Sequence, residues 1–64
     1  MLVNGEKVEI QDEISVSEFL TGQGYDLQRV AVEKNGDVVP KKIFDSEMLS
    51  NSDKIEVVHF VGGG

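Results

Sequence analysis

At 64 residues the chain has room for one domain, and a domain of that size buries only about 60% of the surface its unfolded form exposes, which leaves little room for a deep, water-excluding active site and favours a carrier or interaction module over a free-standing enzyme. It has no cysteine, which excludes disulfides, thiol nucleophiles and thiolate metal sites, and its single histidine, His59, cannot by itself supply the four ligands of structural zinc. The net charge of −6, with six scattered basic residues of which only Lys41 and Lys42 are adjacent, argues against a nucleic-acid partner and for an acidic surface that keeps the chain soluble and can steer it toward a basic one.

The chain opens with Met1-Leu2-Val3, then Asn4-Gly5, then the alternating Glu6-Lys7-Val8-Glu9-Ile10. Asn-Gly tolerates positive φ and marks a tight hairpin, so strand, turn and strand are predicted. The opening has neither a basic start nor an apolar signal core, and no apolar run approaches the roughly 20 residues of a membrane span. The expectation is a cytoplasmic protein with no membrane partner.

Ser15 followed three residues later by Glu18 forms a capping box, and Ile14 with Phe19 can form the hydrophobic staple around it. Val16, Phe19 and Leu20 then share one helical face. Gly22 and Gly24 are placed to close this short helix. Val30 to Lys34 reads as a strand, Asn35-Gly36 as a second hairpin turn, and Asp37 to Val39 as the return strand ended by Pro40, which cannot donate to a ladder. Lys41 to Leu49 has no clean period. It is expected to cross as an irregular segment with a turn of helix, anchored by Ile43, Phe44, Met48 and Leu49. Ser50 to Asp53 is turn chemistry, and Lys54 to Phe60 is the last strand. Hairpin, helix, hairpin, crossing segment and final strand together predict an α+β roll. One mixed sheet carries one main helix packed across a face, and the first and last strands are central neighbours.

After Phe60-Val61 come Gly62, Gly63 and Gly64. Residues 1–61 are expected to form the domain and 62–64 a flexible tail. A glycine arm has no Cβ, so it can thread a narrow channel and let another protein's groups approach its carbonyl carbon. Gly64 also carries the one carboxyl that is not a side chain. A carboxylate is a poor electrophile, but joining it to AMP supplies a leaving group that a sulfur nucleophile can displace, leaving a thiocarboxylate. Activation of this kind needs ATP, magnesium and an oxyanion-stabilising site. None of that machinery is visible in the sequence, so it belongs to a partner, and the chain itself is expected to bind no cofactor and no metal.

The sequence resembles the ThiS family of thiamine-biosynthesis sulfur carriers, ubiquitin-like proteins of the β-grasp fold. The resemblance covers nearly the whole chain. It rests on Val3 to Glu6, Ser15 to Leu20, Val30 to Pro40 and Asp53 to Gly64, whose order and spacing carry more weight than any one motif. It implies a carrier rather than an enzyme. An E1-like adenylyltransferase, using ATP and magnesium, would adenylate the Gly64 carboxylate. A cysteine desulfurase or another donor would supply sulfur, and thiazole synthase would accept it. The family's Gly-Gly end maps onto Gly63 and Gly64, with Gly62 as an added small spacer. Because the sequence already ends at Gly64, no proteolytic maturation is expected.

Two neighbouring readings share this tail: the small subunit of molybdopterin synthase, usually longer, and a ubiquitin-like modifier that forms an isopeptide bond. A third is an interaction module with an inert tail. His59 invites a general-base role, but no acid or nucleophile neighbours it in sequence, so it reads first as a structural or docking strand residue. Tyr25, Lys41 and Lys42 read as surface or helix-end residues. Alternation in the last strand turns Ile55 and Val57 toward the helix and Lys54, Glu56, Val58 and Phe60 outward. Val58 and Phe60, joined by Leu2 from the first strand, are expected to form an apolar docking patch beside the tail.

Overall fold

Two Asn-Gly pairs bend the chain back on itself, with φ of 51° and 83° at Asn4 and Gly5 and of 53° and 90° at Asn35 and Gly36. Positive φ at both central residues is the type I′ geometry that matches the twist of paired strands. In the computed structural model, which describes residues 1–61, the first turn joins β1 (Leu2–Val3) to β2 (Glu6–Lys7) and the second joins β4 (Val30–Lys34) to β5 (Asp37–Val39). The last strand, β7 (Lys54–His59), lies between the hairpins, so the sheet order is β2-β1-β7-β4-β5. β1 runs parallel to β7, and the other neighbours are antiparallel. This is the expected mixed sheet, with the first and last strands adjacent at its centre.

The helix α1 (Val16–Gly22) begins where the capping box places it. The Ser15 hydroxyl accepts the Glu18 backbone N–H at 3.1 Å. Glu18 completes the box differently from its usual form: its carboxylate accepts from the Ser15 hydroxyl, at 3.1 Å, rather than from the Ser15 backbone N–H. At the other end Gly24 takes φ 86°. Its N–H reaches the Thr21 carbonyl and that of Tyr25 reaches the Leu20 carbonyl, both at 3.0 Å, the paired bonds of a Schellman closure. Gly24, not Gly22, is therefore the residue whose left-handed conformation stops the helix.

The helix lays Val16, Phe19 and Leu20 on Val30, Val32, Val39, Ile55 and Val57 from the sheet, with Phe44, Leu49 and Met1 closing the sides. The crossing segment contains the expected helical turn, a 3₁₀ turn at Lys41–Ile43, followed by β6 (Met48–Leu49). β6 pairs with β3 (Ile14–Ser15) as a second, two-stranded sheet. That pairing sets the alternation: Leu49 is buried, and Met48, expected as an anchor, is turned out with 42% of its surface exposed. Ser15 and Ser17 are buried with their hydroxyls 3.2 Å apart, each partnered, so the helix start is both a cap and a small polar plug.

Candidate functional site

The site reading centres on the end of β7 and the glycines beyond it. Gly62, Gly63 and Gly64 lie outside the described residues, so what can be located is the root from which they leave. The β4–β7 register runs from Lys34 opposite Ile55 to Val30 opposite His59. One further bond, from the Phe60 N–H to the Arg29 carbonyl at 2.7 Å, carries the pairing past the strand's last residue. The backbone is thus fixed as far as Phe60, at the end of the sheet's central strand.

The side chains at this end divide by alternation. Ile55 and Val57 enter the core, at 1% and 6% exposed, while Val58 and Phe60 stand on the opposite face with 56% and 55% exposed. Phe60 therefore does not fold back to cap the core. Ala31 sits across from Val58 and is also exposed. One step further along this face Glu33 lies opposite Glu56, placing two acidic side chains beside the apolar group.

Leu2 does not join it. It is exposed, but its register partner on β7 is Lys54. At about 3.3 Å per residue, Val58 is roughly 13 Å and Phe60 roughly 20 Å further along the strand. β1 runs parallel to β7 and turns back at Asn4-Gly5, so its exposed leucine is left at the far end of the face. Ala31, on the antiparallel neighbour, holds the position expected of Leu2. Adjacency of the two strands was readable from the sequence order; register was not.

His59 ends β7 on the helix side, exposed, with its ring centroid 6.0 Å from that of Tyr25 and the planes tilted by 43°. That contact belongs to a packing residue. Among the described residues no hydrogen bond or ion pair joins the His59 side chain to a carboxylate or hydroxyl, and no group of His, Cys, Asp or Glu could hold a metal ion. Lys41 donates to the Gln28 carbonyl at 2.7 Å, tying the crossing segment to the 3₁₀ turn Leu27–Arg29 that precedes β4.

The strongest electrostatic feature is at the other end of the sheet. Lys34 donates to Glu47 at 2.8 Å and to the Met48 carbonyl at 2.9 Å, with Asp53 4.0 Å away. The hydrogen bond to Glu47 raises the Lys34 pKa above its ordinary value, partial burial works against it, and the charge of Asp53 adds to the rise. For Asp53, burial acts to raise the pKa. Hydrogen bonds from Asn35 and Ser50 and the nearby Lys34 charge outweigh it and hold the carboxyl below its usual range. This cluster locks the Ser50–Asp53 turn to the second hairpin and is far from the tail root.

The sequence model of the ThiS family matches residues 1–64. The chain is 33% identical to the sulfur carrier protein ThiS of Bacillus subtilis over 63 residues, covering 97% of this chain and 96% of that protein. It is 36% identical over 64 residues to a thiazole synthase of Paramagnetospirillum magneticum, covering all of this chain and 20% of the relative. The chain thus spans about a fifth of the length of that thiazole synthase. Among solved structures, the crystal structure of the thiamine biosynthesis protein ThiS from Geobacter metallireducens superposes with a TM-score of 0.79 at 32% identity, covering 98% of this chain and 96% of that one.

Proposed function

The chain belongs to the ThiS family, and on that premise we propose that it carries sulfur for thiamine thiazole formation on the carboxyl group of Gly64. The observation that carries this reading is full-length similarity, at both sequence and structure level, to proteins named ThiS. The same similarity favours the thiamine carrier over the molybdopterin-type carrier and the protein modifier.

The division of labour follows from what the chain offers. A Gly64 carboxylate oxygen attacks the α-phosphorus of ATP and pyrophosphate leaves. The adenylyltransferase supplies the magnesium site and the stabilising dipoles. The terminal sulfur of a partner's persulfide then attacks the acyl carbon and AMP leaves, giving an acyl disulfide. A thiol attacks the persulfide's inner sulfur, breaking the S–S bond to release the thiocarboxylate and leaving a disulfide on the donor. Thiazole synthase is the acceptor. In the Paramagnetospirillum relative the segment like this chain is part of a protein that bears that name, which supports the pairing. The domain of residues 1–61 serves as the handle, and Gly62 and Gly63 as the side-chain-free arm that enters the partner's channel. Val58 and Phe60, with Ala31 beside them, dock against the partner next to the arm's root. Leu2, too far along the face, contributes only to a partner that covers the whole sheet.

The test is intact-mass measurement after incubation with ATP, an E1-like adenylyltransferase, a cysteine desulfurase and cysteine. The expected product is heavier by sulfur in place of one oxygen, and fragmentation locates the change at Gly64. An unchanged mass, with the adenylyltransferase active on another ThiS protein, removes the proposal.

A further inference from the structure

β7 is the central strand, yet β1 flanks only its first half. Leu2 pairs with Lys54 and Val3 with Ile55, and the chain then turns away at Asn4-Gly5. Backbone N–H and C=O groups alternate sides along a strand. On β7 the even-numbered residues face β4: Lys54 accepts from the Asn35 N–H at 2.7 Å, and Phe60 donates to Arg29 at 2.7 Å. The odd-numbered residues face β1. Asp53 accepts from the Leu2 N–H at 3.0 Å and Ile55 from the Asn4 N–H at 2.9 Å. Val57 has no backbone opposite it, and the Asn4 side-chain amide fills the gap, accepting its N–H at 2.8 Å and donating to its carbonyl at 3.1 Å. His59 is next in the series. Among the described residues, neither its N–H nor its C=O has a partner, because the flanking chain has already turned away.

We infer that β7 takes an extended segment of the adenylating partner along this open edge, with the His59 N–H and C=O as its first pairing groups. The inference rests on the carrier reading above. Five residue steps separate His59 from Gly64, at most about 18 Å of chain. An enzyme holding the Gly64 carboxylate in its catalytic pocket is therefore brought against the edge where the sheet lacks a neighbour. Strand addition there fixes the direction in which the glycine arm leaves, which side-chain docking on Val58 and Phe60 does not. The open stretch is too short to pair two copies of this chain stably, which suits an edge that must stay free until the partner arrives.

The geometry also supplies the test. The His59 N–H points away from β4, so proline there removes no bond of the native ladder, whereas His59→Ala keeps the N–H and removes only the imidazole. A chemically synthesised chain with an ester in place of the Val58–His59 amide removes the same N–H without the proline ring. Binding to the E1-like adenylyltransferase of the same genome is measured for all four chains, with thermal melts alongside. His59→Ala is expected to bind within about twofold of the parent, and His59→Pro and the ester about fivefold or more weakly, the scale of one lost hydrogen bond. The ester's melt is expected to remain cooperative and near the parent's, and if His59→Pro fails to fold the ester alone decides. Equal affinity of the ester and His59→Ala overturns the inference. So does slow hydrogen exchange at the His59 amide of the free parent chain, since the N–H is then already paired internally. A concentration-dependent dimer of the parent lost in the ester assigns the edge to a second copy and equally overturns it. If the parent itself is neither bound nor adenylated, the carrier reading fails, an outcome distinct from failure of strand addition alone.

Discussion

The side chain of Asn4 pairs with the backbone of Val57 in both directions, N–H to Oδ1 at 2.8 Å and Nδ2 to carbonyl at 3.1 Å, across 53 residues of sequence. One residue thus does two things. Its backbone takes the positive φ that makes the hairpin turn, and its side chain extends the first strand's pairing with β7 by one position. Asn51 repeats the device, accepting the Ile10 N–H at 3.0 Å and donating to the Ile10 carbonyl at 2.7 Å, which pins the loop after β2 to the turn before β7.

The two roles of Asn4 can be separated by substitution. Glycine keeps the positive φ and deletes the amide, so Asn4→Gly is expected to cost about 1–2 kcal/mol, the scale of two neutral hydrogen bonds. Asn4→Ala adds left-handed strain of about 1–2 kcal/mol to that loss. Urea unfolding of the three proteins checks the order, and amide exchange at Val57 should accelerate in both variants. An Asn4→Gly protein as stable as the parent would show that the side-chain pairing holds nothing.

The ion cluster at the opposite end of the sheet makes stability depend on pH in a definable direction. Asp53 has its folded pKa lowered, so its contribution is present above the ordinary aspartate value of about 3.9 and is lost as pH falls through the folded value. Lys34 has its folded pKa raised, so its contribution is complete below about 10.4 and is lost as pH rises through the folded value. Asp53→Asn should flatten the acid limb of a stability profile measured by urea titration. Lys34→Met should flatten the alkaline limb. An acid limb unchanged in Asp53→Asn would assign acid sensitivity to other carboxylates.

Much of this architecture was legible because local chemistry and global fold agree. Asn4-Gly5 and Asn35-Gly36 admit few structures other than tight hairpins, and Ser15 with Glu18 marks a helix start that the packing of Phe19 and Leu20 then uses. What escaped was set by contacts distant in sequence. Leu2 belongs to a strand correctly placed beside β7, but parallel register put it opposite Lys54 rather than near Phe60. The β3–β6 pair is only two residues on each side, too short for an alternating pattern, and it decided that Met48 faces out. Met1 is buried at 5% exposure, with Val8 donating to its carbonyl at 2.8 Å, and a lone methionine ahead of Leu2-Val3 carries no signal of that role. The proposal for Gly64 draws on residue types alone: it needs an arm without side chains leading to the reacting carboxyl, and Gly62 and Gly63 supply such an arm in sequence.

That arm yields a prediction separable from folding. Deleting Gly64 or replacing Gly63 by valine leaves every core residue in place, so thermal melts should match the parent's. Adenylation should be lost in both, in one because the reacting carboxyl is displaced by a residue and in the other because a β-branched side chain obstructs the approach. Release of pyrophosphate in the presence of the adenylyltransferase reads this directly. Parent-like release with Gly63→Val would mean that the channel is wide enough to admit a side chain and that the glycines serve some other purpose.

The docking face can be tested by comparing neighbours in one strand whose side chains take opposite directions. Val57 is 6% exposed and packs in the core, whereas Phe60 is 55% exposed with its backbone held by Arg29. Val57→Ala opens a cavity and should cost about 2 kcal/mol, a large share of the roughly 3–10 kcal/mol that a domain of this length possesses. Phe60→Ala removes an exposed ring and should leave the melt close to the parent's. Its effect should fall on association instead: truncating an aromatic anchor commonly costs about 2 kcal/mol or more, so affinity for the adenylyltransferase or thiazole synthase should drop at least about tenfold. Val58→Ala, beside it, should show a smaller loss of the same kind, and Leu2→Ala a loss only with a partner that reaches the far end of the face. A thermal scan and a binding titration on the same preparations distinguish the cases. A Phe60→Ala protein that melts much earlier yet binds with parental affinity would make Phe60 a stabilising residue and remove it from the docking surface.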